Sequence, residues 1–258
     1  MNKKYFSIFS LLPGLKPKLS QQFHQSTQFD KFRPSPKKWP REWKTTFYKG
    51  YPRFPAFKLI QPAKLAKSFS EVLCDRLSTR TFSEKHLKNE DLCNILYYSA
   101  GENIRRKSKS INYRFYASGG ARYPFEIYLI VRNVTNLKKG IYHYYIKENL
   151  LELLDSQVPT KIFFDKAFGQ QEWQKAPVIF IITGIFERTQ MKYEERGYRV
   201  VLMDLGHLSQ NIYLVCSALN IGCCEINGFN DFLFNDLIDI DGWRESTLIT
   251  FAIGNKEK

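Results

Sequence analysis

A chain of 258 residues, 43% hydrophobic and 25% charged, is long enough to bury a substantial core, and its composition is ordinary except for 16% aromatic residues and 39 Lys or Arg against 25 Asp or Glu. The net charge of +14 invites a nucleic-acid or membrane reading, yet it sits at the front. Residues 1–60 carry 13 Lys or Arg against only Asp30 and Glu42, and the rest of the chain is nearly balanced. A nucleic-acid-binding core is therefore not expected, and no run reaches the ~18 apolar residues of a membrane span.

From the start to Pro62 the chain holds eight of its 11 prolines, which interrupt any long helix or strand, so residues 1–62 are expected to form an extended, basic arm and residues 63–258 a compact domain. The arm is either a solvated extension or a contact for an acidic partner such as a precursor peptide. Lys3 and Lys4 followed by apolar residues 5–12 imitate a signal peptide, but Pro13 and Lys16 follow without a small-residue cleavage site. A cytoplasmic protein is expected.

The domain opens with a short helix over residues 70–76, capped by Ser70, and a second over 89–100, capped by Asn89 and presenting Leu92, Ile95 and Leu96 on one face. Residues 125–131 form a strand, and 141–146 with 150–153 a hairpin. The nearly all-apolar run 178–186 belongs in the middle of a sheet covered on both faces. Val201, Leu205, Leu208, Ile212, Val215 and Leu219 recur at helical spacing and define a long core helix over 195–220. A strand at 223–226, a helix over 231–237 capped by Asn230 and a last strand at 247–253 complete an α+β domain. Five cysteines, an odd number without Cys-x-x-Cys spacing, suggest neither a zinc site nor a disulfide framework. The vicinal Cys223-Cys224 pair reads as part of a buried strand.

Four short motifs carry chemistry. Arg76, Ser78, Thr79 and Arg80 gather two guanidinium forks and two hydroxyls, which suits a phosphate or simply a solvated basic loop. Ser118-Gly119-Gly120 before the strand at 125, and Ile226-Asn227-Gly228 after the strand at 223, are places where backbone can approach a planar ligand or turn sharply. Lys192-Tyr193 at the edge of the core helix is a surface pair unless both point into one desolvated site, where either becomes a base near neutrality.

The order of these pieces, Arg-x-Ser-x-Arg-x-Phe from Arg76, Ser-Gly-Gly-Ala-x-Tyr-Pro from Ser118, Lys192-Tyr193, residues 206–211 of the long helix, Ile-x-Gly-Phe from Ile226 and a terminal Ala252-Ile253-Gly254, resembles the nitroreductase superfamily. More narrowly it is similar to the SagB-type azoline dehydrogenases, and Phe23 to Thr27 matches the opening of that subfamily. The resemblance implies a nitroreductase-like fold, a mostly antiparallel central sheet packed around the long helix. It implies a homodimer with flavin mononucleotide (FMN) at the interface. Residues matching Arg76 and Arg80 would hold the phosphate, with Leu77 and Ser78 beside them and Lys256 adding a contact. Ser118, Gly119 and Gly120 would lie against the isoalloxazine, Ile226, Asn227 and Gly228 would close the other side, and Lys192 and Tyr193 would match the catalytic pair. Ala117 and Arg122 depart from the family's usual Pro and apolar residue.

The implied reaction aromatises thiazoline or oxazoline rings in a ribosomally made peptide: Tyr193, or Lys192 acting with it, takes the proton, the flavin takes the hydride, and dioxygen reoxidises it. A cyclodehydratase complex is an implied partner. Three rivals stand beside this reading: a nicotinamide-fed nitro, quinone or enone reductase, a dehydrogenase of peptide or amide bonds outside azoline chemistry, and a flavin-free scaffold subunit.

Overall fold

The computed structural model describes residues 18–28, 36–107, 112–169 and 172–257. Contacts divide the chain into two units, Met1–Lys37 and Lys38–Lys258. In the smaller unit, α1 (Leu19–Ser26) is helical where the prolines suggested extended chain, because residues 19–26 themselves contain none. The signal-like residues 1–12 lie outside the described residues.

The larger unit is built on one seven-stranded sheet. Its strands are β1 (Ala56–Lys58), β4 (Phe125–Val131), β5 (Gly140–Tyr145), β6 (Leu150–Asp155), β7 (Val178–Ile185), β8 (Gly222–Ile226) and β9 (Glu245–Gly254). A separate hairpin pairs β2 (Glu102–Lys107) with β3 (Asn112–Arg114). The sheet order is β1-β6-β5-β4-β7-β9-β8, and every neighbouring pair is antiparallel. Residues 56–58, inside the stretch 1–62 expected to be an extended arm, thus form an edge strand of this sheet.

The continuous apolar runs of β4 and β7 have the two-sided burial that their lack of alternation implies. Ile127, Leu129 and Val131 face one core with Phe180 and Ile182, under α3 (Asn89–Ala100) and the long helix α6 (Arg196–Ala218). Tyr128 and Ile130 face a second core with Ile179 and Ile181, under α4 (Lys161–Ala167) and α7 (Asp231–Leu237). In α6 the expected stripe Val201, Leu205, Leu208, Ile212 and Val215 is buried, at about 1.5–3 kcal/mol for each side chain. Cys223 and Cys224 lie buried in β8.

Two expected caps are displaced. Ser68, not Ser70, starts α2 (Phe69–Asp75): its Oγ accepts from Glu71 N at 3.3 Å, and Glu71 Oε2 accepts from Ser68 N at 2.8 Å, because the acidic residue that completes a capping box stands three positions after Ser68. Asn89 is the first helical residue of α3 and not its cap. Its N–H is instead held by Thr135 Oγ1 at 2.9 Å. Asn230 caps α7 as expected, its Oδ1 accepting from Leu233 N.

Candidate active site

The long helix organises two clusters of the expected site residues. Asp204 anchors one and Tyr213 the other. Nine residues apart, they are separated by about 13 Å along the axis and by about half a turn around it.

At the Asp204 end, Ser118 Oγ donates to Asp204 Oδ2 at 2.6 Å and Gly119 N donates to the same carboxylate at 3.0 Å. Ser118 Oγ also accepts from Tyr123 N at 2.9 Å, closing a tight turn in which Gly120, Ala121 and Tyr123 all have positive φ. Gly120 is required here: a Cβ would stand 2.5 Å from Tyr193 Oη and 2.9 Å from Lys192 Nζ. Lys192 and Tyr193 therefore converge on the Ser118–Gly120 turn. They do so from α5 (Glu187–Tyr193), a short helix of its own between the apolar strand and the core helix, at whose boundary the pair was expected.

The two side chains differ electrostatically. Burial and then the nearby Arg122 guanidinium lower the Lys192 pKa below that of an ordinary amine. Burial raises the Tyr193 pKa, with Arg122 offsetting part of the rise. Of the two expected bases, Lys192 is the one that moves towards neutrality. Tyr193 keeps its proton.

A buried ionic row sets the place of α5. Arg188 Nη2 forms an ion pair with Glu126 Oε1 at 2.6 Å and its Nη1 donates to Tyr123 O at 3.4 Å, tying the helix to both β4 and the turn. Glu126 also meets His143 Nε2 at 3.1 Å, and His143 Nδ1 meets Glu152 at 2.7 Å. With a carboxylate on each ring nitrogen, both nitrogens must donate, so the imidazole is held as a cation.

At the Tyr213 end, the Arg76 guanidinium lies 5.4 Å from the Tyr213 ring, and Ser78 Oγ is 3.1 Å from its hydroxyl. That hydroxyl accepts from Glu225 N at 2.8 Å, and Thr79 N donates to Cys223 O at 2.9 Å. Arg80 opens onto a cleft of about 430 Å³ that is also lined by Trp173 and by Cys224 to Gly228. Ile226, Asn227 and Gly228 thus share a cleft with Arg80, while Leu77 is exposed between the two arginines. Lys256 bridges Phe82 just beyond β9. The structure gathers Arg76, Ser78 and Arg80 along β8, with Ile226, Asn227 and Gly228 at its C-terminal end and Lys256 beside Gly222 at the other, and Ser118, Gly119, Gly120, Lys192 and Tyr193 around Asp204. It does not join the two groups within one chain.

Several organising residues were not singled out in the sequence. Asp204 carries a detectable signal, a carboxylate three positions after Val201 on the apolar face of the helix. Arg122 stood out only as a departure, and Tyr213, Trp39 and Trp43 not at all.

Residues 73–255 match the nitroreductase family. The chain belongs to that family. A nitroreductase-named protein of Methanocaldococcus jannaschii is 32% identical over 187 residues, 72% of this chain and 90% of its own length. A trifolitoxin-processing protein of Rhizobium leguminosarum bv. trifolii is 27% identical over 165 residues, 62% of this chain. A microcin B17-processing protein of Escherichia coli is 29% identical over 147 residues, 55% of this chain. The match spans only 42% and 54% of those two relatives. Among solved structures, one described as a nitroreductase from Anabaena variabilis aligns with a TM-score of 0.74 at 21% identity, over 96% of this chain and 49% of that one. The Escherichia coli microcin synthetase complex with truncated pro-microcin bound contains a chain that aligns at 0.62 and 21%, covering 93% of this chain and 92% of that one. Both share the nitroreductase fold, whose mixed architecture of helices around an antiparallel sheet is the one expected.

The residues at the Tyr213 end fit the flavin that the family implies. Among the described residues no ion pair engages Arg76 or Arg80, the Thr79 hydroxyl is buried without a partner, and the adjoining cleft is lined largely by the backbone-rich strand end. An anion with a planar body has there both charge partners and a hydroxyl to bond. Among the described residues no cluster of His, Cys, Asp and Glu is suited to a metal, and no helix is long and apolar enough to cross a membrane.

Proposed function

We propose that this nitroreductase-family protein is an FMN-dependent oxidoreductase that aromatises azoline rings in a ribosomally made peptide. The observation that carries the reading is the convergence of Lys192 Nζ and Tyr193 Oη on the Gly120 turn, in a chain whose relatives include two named for processing peptide toxins. Bound FMN supplies the acceptor for the hydride that leaves the ring together with a proton. Arg76, Ser78, Arg80 and Lys256 hold the phosphate end, Ile226 to Gly228 line the cleft, and Ser118 to Gly120 present their backbone to the ring system.

The protein's own chemistry is proton removal. Lys192, its pKa lowered by burial and by Arg122, gives up its own proton more readily than an ordinary amine and takes the ring proton, and protonated Tyr193 orients the substrate by donating a hydrogen bond. Activity falls as the pH drops through the Lys192 pKa. Because the two clusters lie about half a turn apart on α6, one chain does not close both around one flavin; a homodimer completes the site from two copies. The basic segment before Pro62 draws in an acidic leader, and a cyclodehydratase delivers the azoline.

The test is turnover of a thiazoline-containing peptide by the yellow, flavin-loaded protein. Lys192→Ala should abolish oxidation without releasing flavin, and Tyr193→Phe, which loses one orienting hydrogen bond, should reduce it about tenfold. Full turnover by the double variant overturns the assignment. Rapid reduction by NADH or NADPH with an inert azoline would instead make the protein a nicotinamide-fed reductase, and a colourless protein unaffected by FMN would make it a scaffold.

A further inference from the structure

The segment just before β1 reaches the Lys192 site. Lys192 Nζ lies 4.4 Å from the centroid of the Trp39 ring and 5.6 Å from that of Trp43, and the two indoles meet edge to face at 6.3 Å. Trp43 Nε1 donates to Met191 O at 3.2 Å, so the second indole is fastened to the backbone next to the lysine. The one-turn helix Glu42–Lys44, which carries Trp43 and follows Trp39 in the chain, is gripped by Arg122. Its Nη1 donates to Glu42 O at 2.7 Å, its Nη2 to Thr45 O at 3.2 Å and its Nε to Gly120 O at 3.2 Å. Arg122 is 1% exposed, yet the bonds recorded for its guanidinium all go to neutral carbonyls. A buried cation with only carbonyl partners is costly and leaves its charge unneutralised towards its neighbours.

We propose that Arg122, Trp39 and Trp43 are positioning residues of the Lys192 site: the guanidinium bolts residues 42–45 to the Gly120 turn and sets a like charge beside the amine, and the two indoles wall that amine from water. The proposal deepens the azoline reading and rests on Lys192 as the base. The groups that face Lys192 are few in kind. Arg122 faces it from the turn and Tyr193 from its own helix, while from residues 39–43 it is the neutral rings of Trp39 and Trp43 that meet it, Arg41 and Glu42 of that segment being exposed. Asp204, on α6, is engaged by Ser118 and Gly119. Burial is the larger cause that opposes protonation of Lys192, and the Arg122 charge acts in the same direction. The rings act oppositely, since a cation is attracted to their faces while their bulk excludes water. Their wall function is therefore read by access rather than by titration.

The experiment measures the rate at which Lys192 is acylated by a small anhydride as a function of pH, by mass spectrometry of the peptide that contains it, beside the pH profile of kcat/KM on the azoline peptide. Arg122→Gln should raise the pH midpoint of labelling by on the order of one unit, and Arg122→Lys, which keeps the charge, should move it less. Trp39→Ala and Trp43→Ala should each increase labelling several-fold at a pH well above the midpoint. Thermal melts confirm that the variants are folded, and Arg122→Lys keeps the electrostatic claim testable should Arg122→Gln not fold, by a midpoint within a few tenths of the parent. An unmoved midpoint in Arg122→Gln, a midpoint in Arg122→Lys as far displaced as neutralisation predicts, or unchanged labelling in both tryptophan variants overturns the proposal. A labelling midpoint that rises while the kcat/KM profile stays fixed upholds it and refutes Lys192 as the base.

Discussion

Substituting Gly120 by alanine separates catalytic geometry from stability. Gly120 has φ +62°, so any side chain there pays the left-handed penalty of about 1–2 kcal/mol. The new Cβ would also stand 2.5 Å from Tyr193 Oη and 2.9 Å from Lys192 Nζ, and must push both away by roughly 0.5–1 Å to reach ordinary contact. Both atoms are the far ends of flexible side chains, so that displacement adds little to the folding cost. A loss of about 1–2 kcal/mol corresponds to a Tm lower by roughly 2–8 °C in a protein of this size. Turnover suffers more, because a shift approaching 1 Å in a reacting group costs on the order of 10²-fold. Calorimetry and single-turnover oxidation of an azoline peptide by Gly120→Ala would measure both. A variant that loses a few degrees and keeps turnover within twofold of the parent would refute the claim that the two tips act from that turn.

Asp204→Ala removes the acceptor for Ser118 Oγ and for the Gly119 amide, and should cost about 2–4 kcal/mol in urea melts, whereas Asp204→Asn, which keeps one oxygen, should cost less. Tyr213→Phe leaves Glu225 N without its acceptor and Ser78 without its partner. Flavin should bind several-fold more weakly in a fluorescence titration, and stability should fall by about 1–2 kcal/mol. The ionic row predicts a stability maximum in pH. Burial pushes Glu126 towards its neutral form, but Arg188 and His143 outweigh it and hold the carboxyl at about 2, below its ordinary 4.5. Its contribution is present above pH ~4.5 and is lost as the pH falls towards 2. Burial opposes the His143 charge, and its bonds to Glu126 and Glu152 outweigh that and raise its pKa above 6.5. Its contribution is present below pH ~6.5 and is lost as the pH rises through the folded value. Melting temperatures across pH should decline on both sides, and Glu126→Gln should flatten the acid side; a parent protein whose Tm is unchanged between pH 5 and 3 would contradict this.

Much of the fold was legible because its strongest elements announce themselves locally. The stripe of α6, the largely apolar runs of β4 and β7 and the Asn230 cap depend on neighbours within one or two turns, and the structure places them within one or two residues of where the pattern does. The strands β1 and β2 were not legible. One is three residues amid prolines and the other is rich in basic residues, so neither shows alternation; β1 becomes a strand by pairing with the distant β6, and β2 by closing a hairpin with β3. The motif residues of the candidate site were legible by type and order, since Arg, Gly and Lys-Tyr motifs are short in sequence. What only the tertiary structure decided is how they are held and which of them shares an environment. Asp204 reaches Ser118 across 86 positions, Arg122 reaches Glu42 across 80, and Trp43 reaches Met191 across 148. Burial and like charge are properties of that assembly, which is why Lys192 and Tyr193, adjacent in sequence and equal candidates there, part in opposite directions once folded.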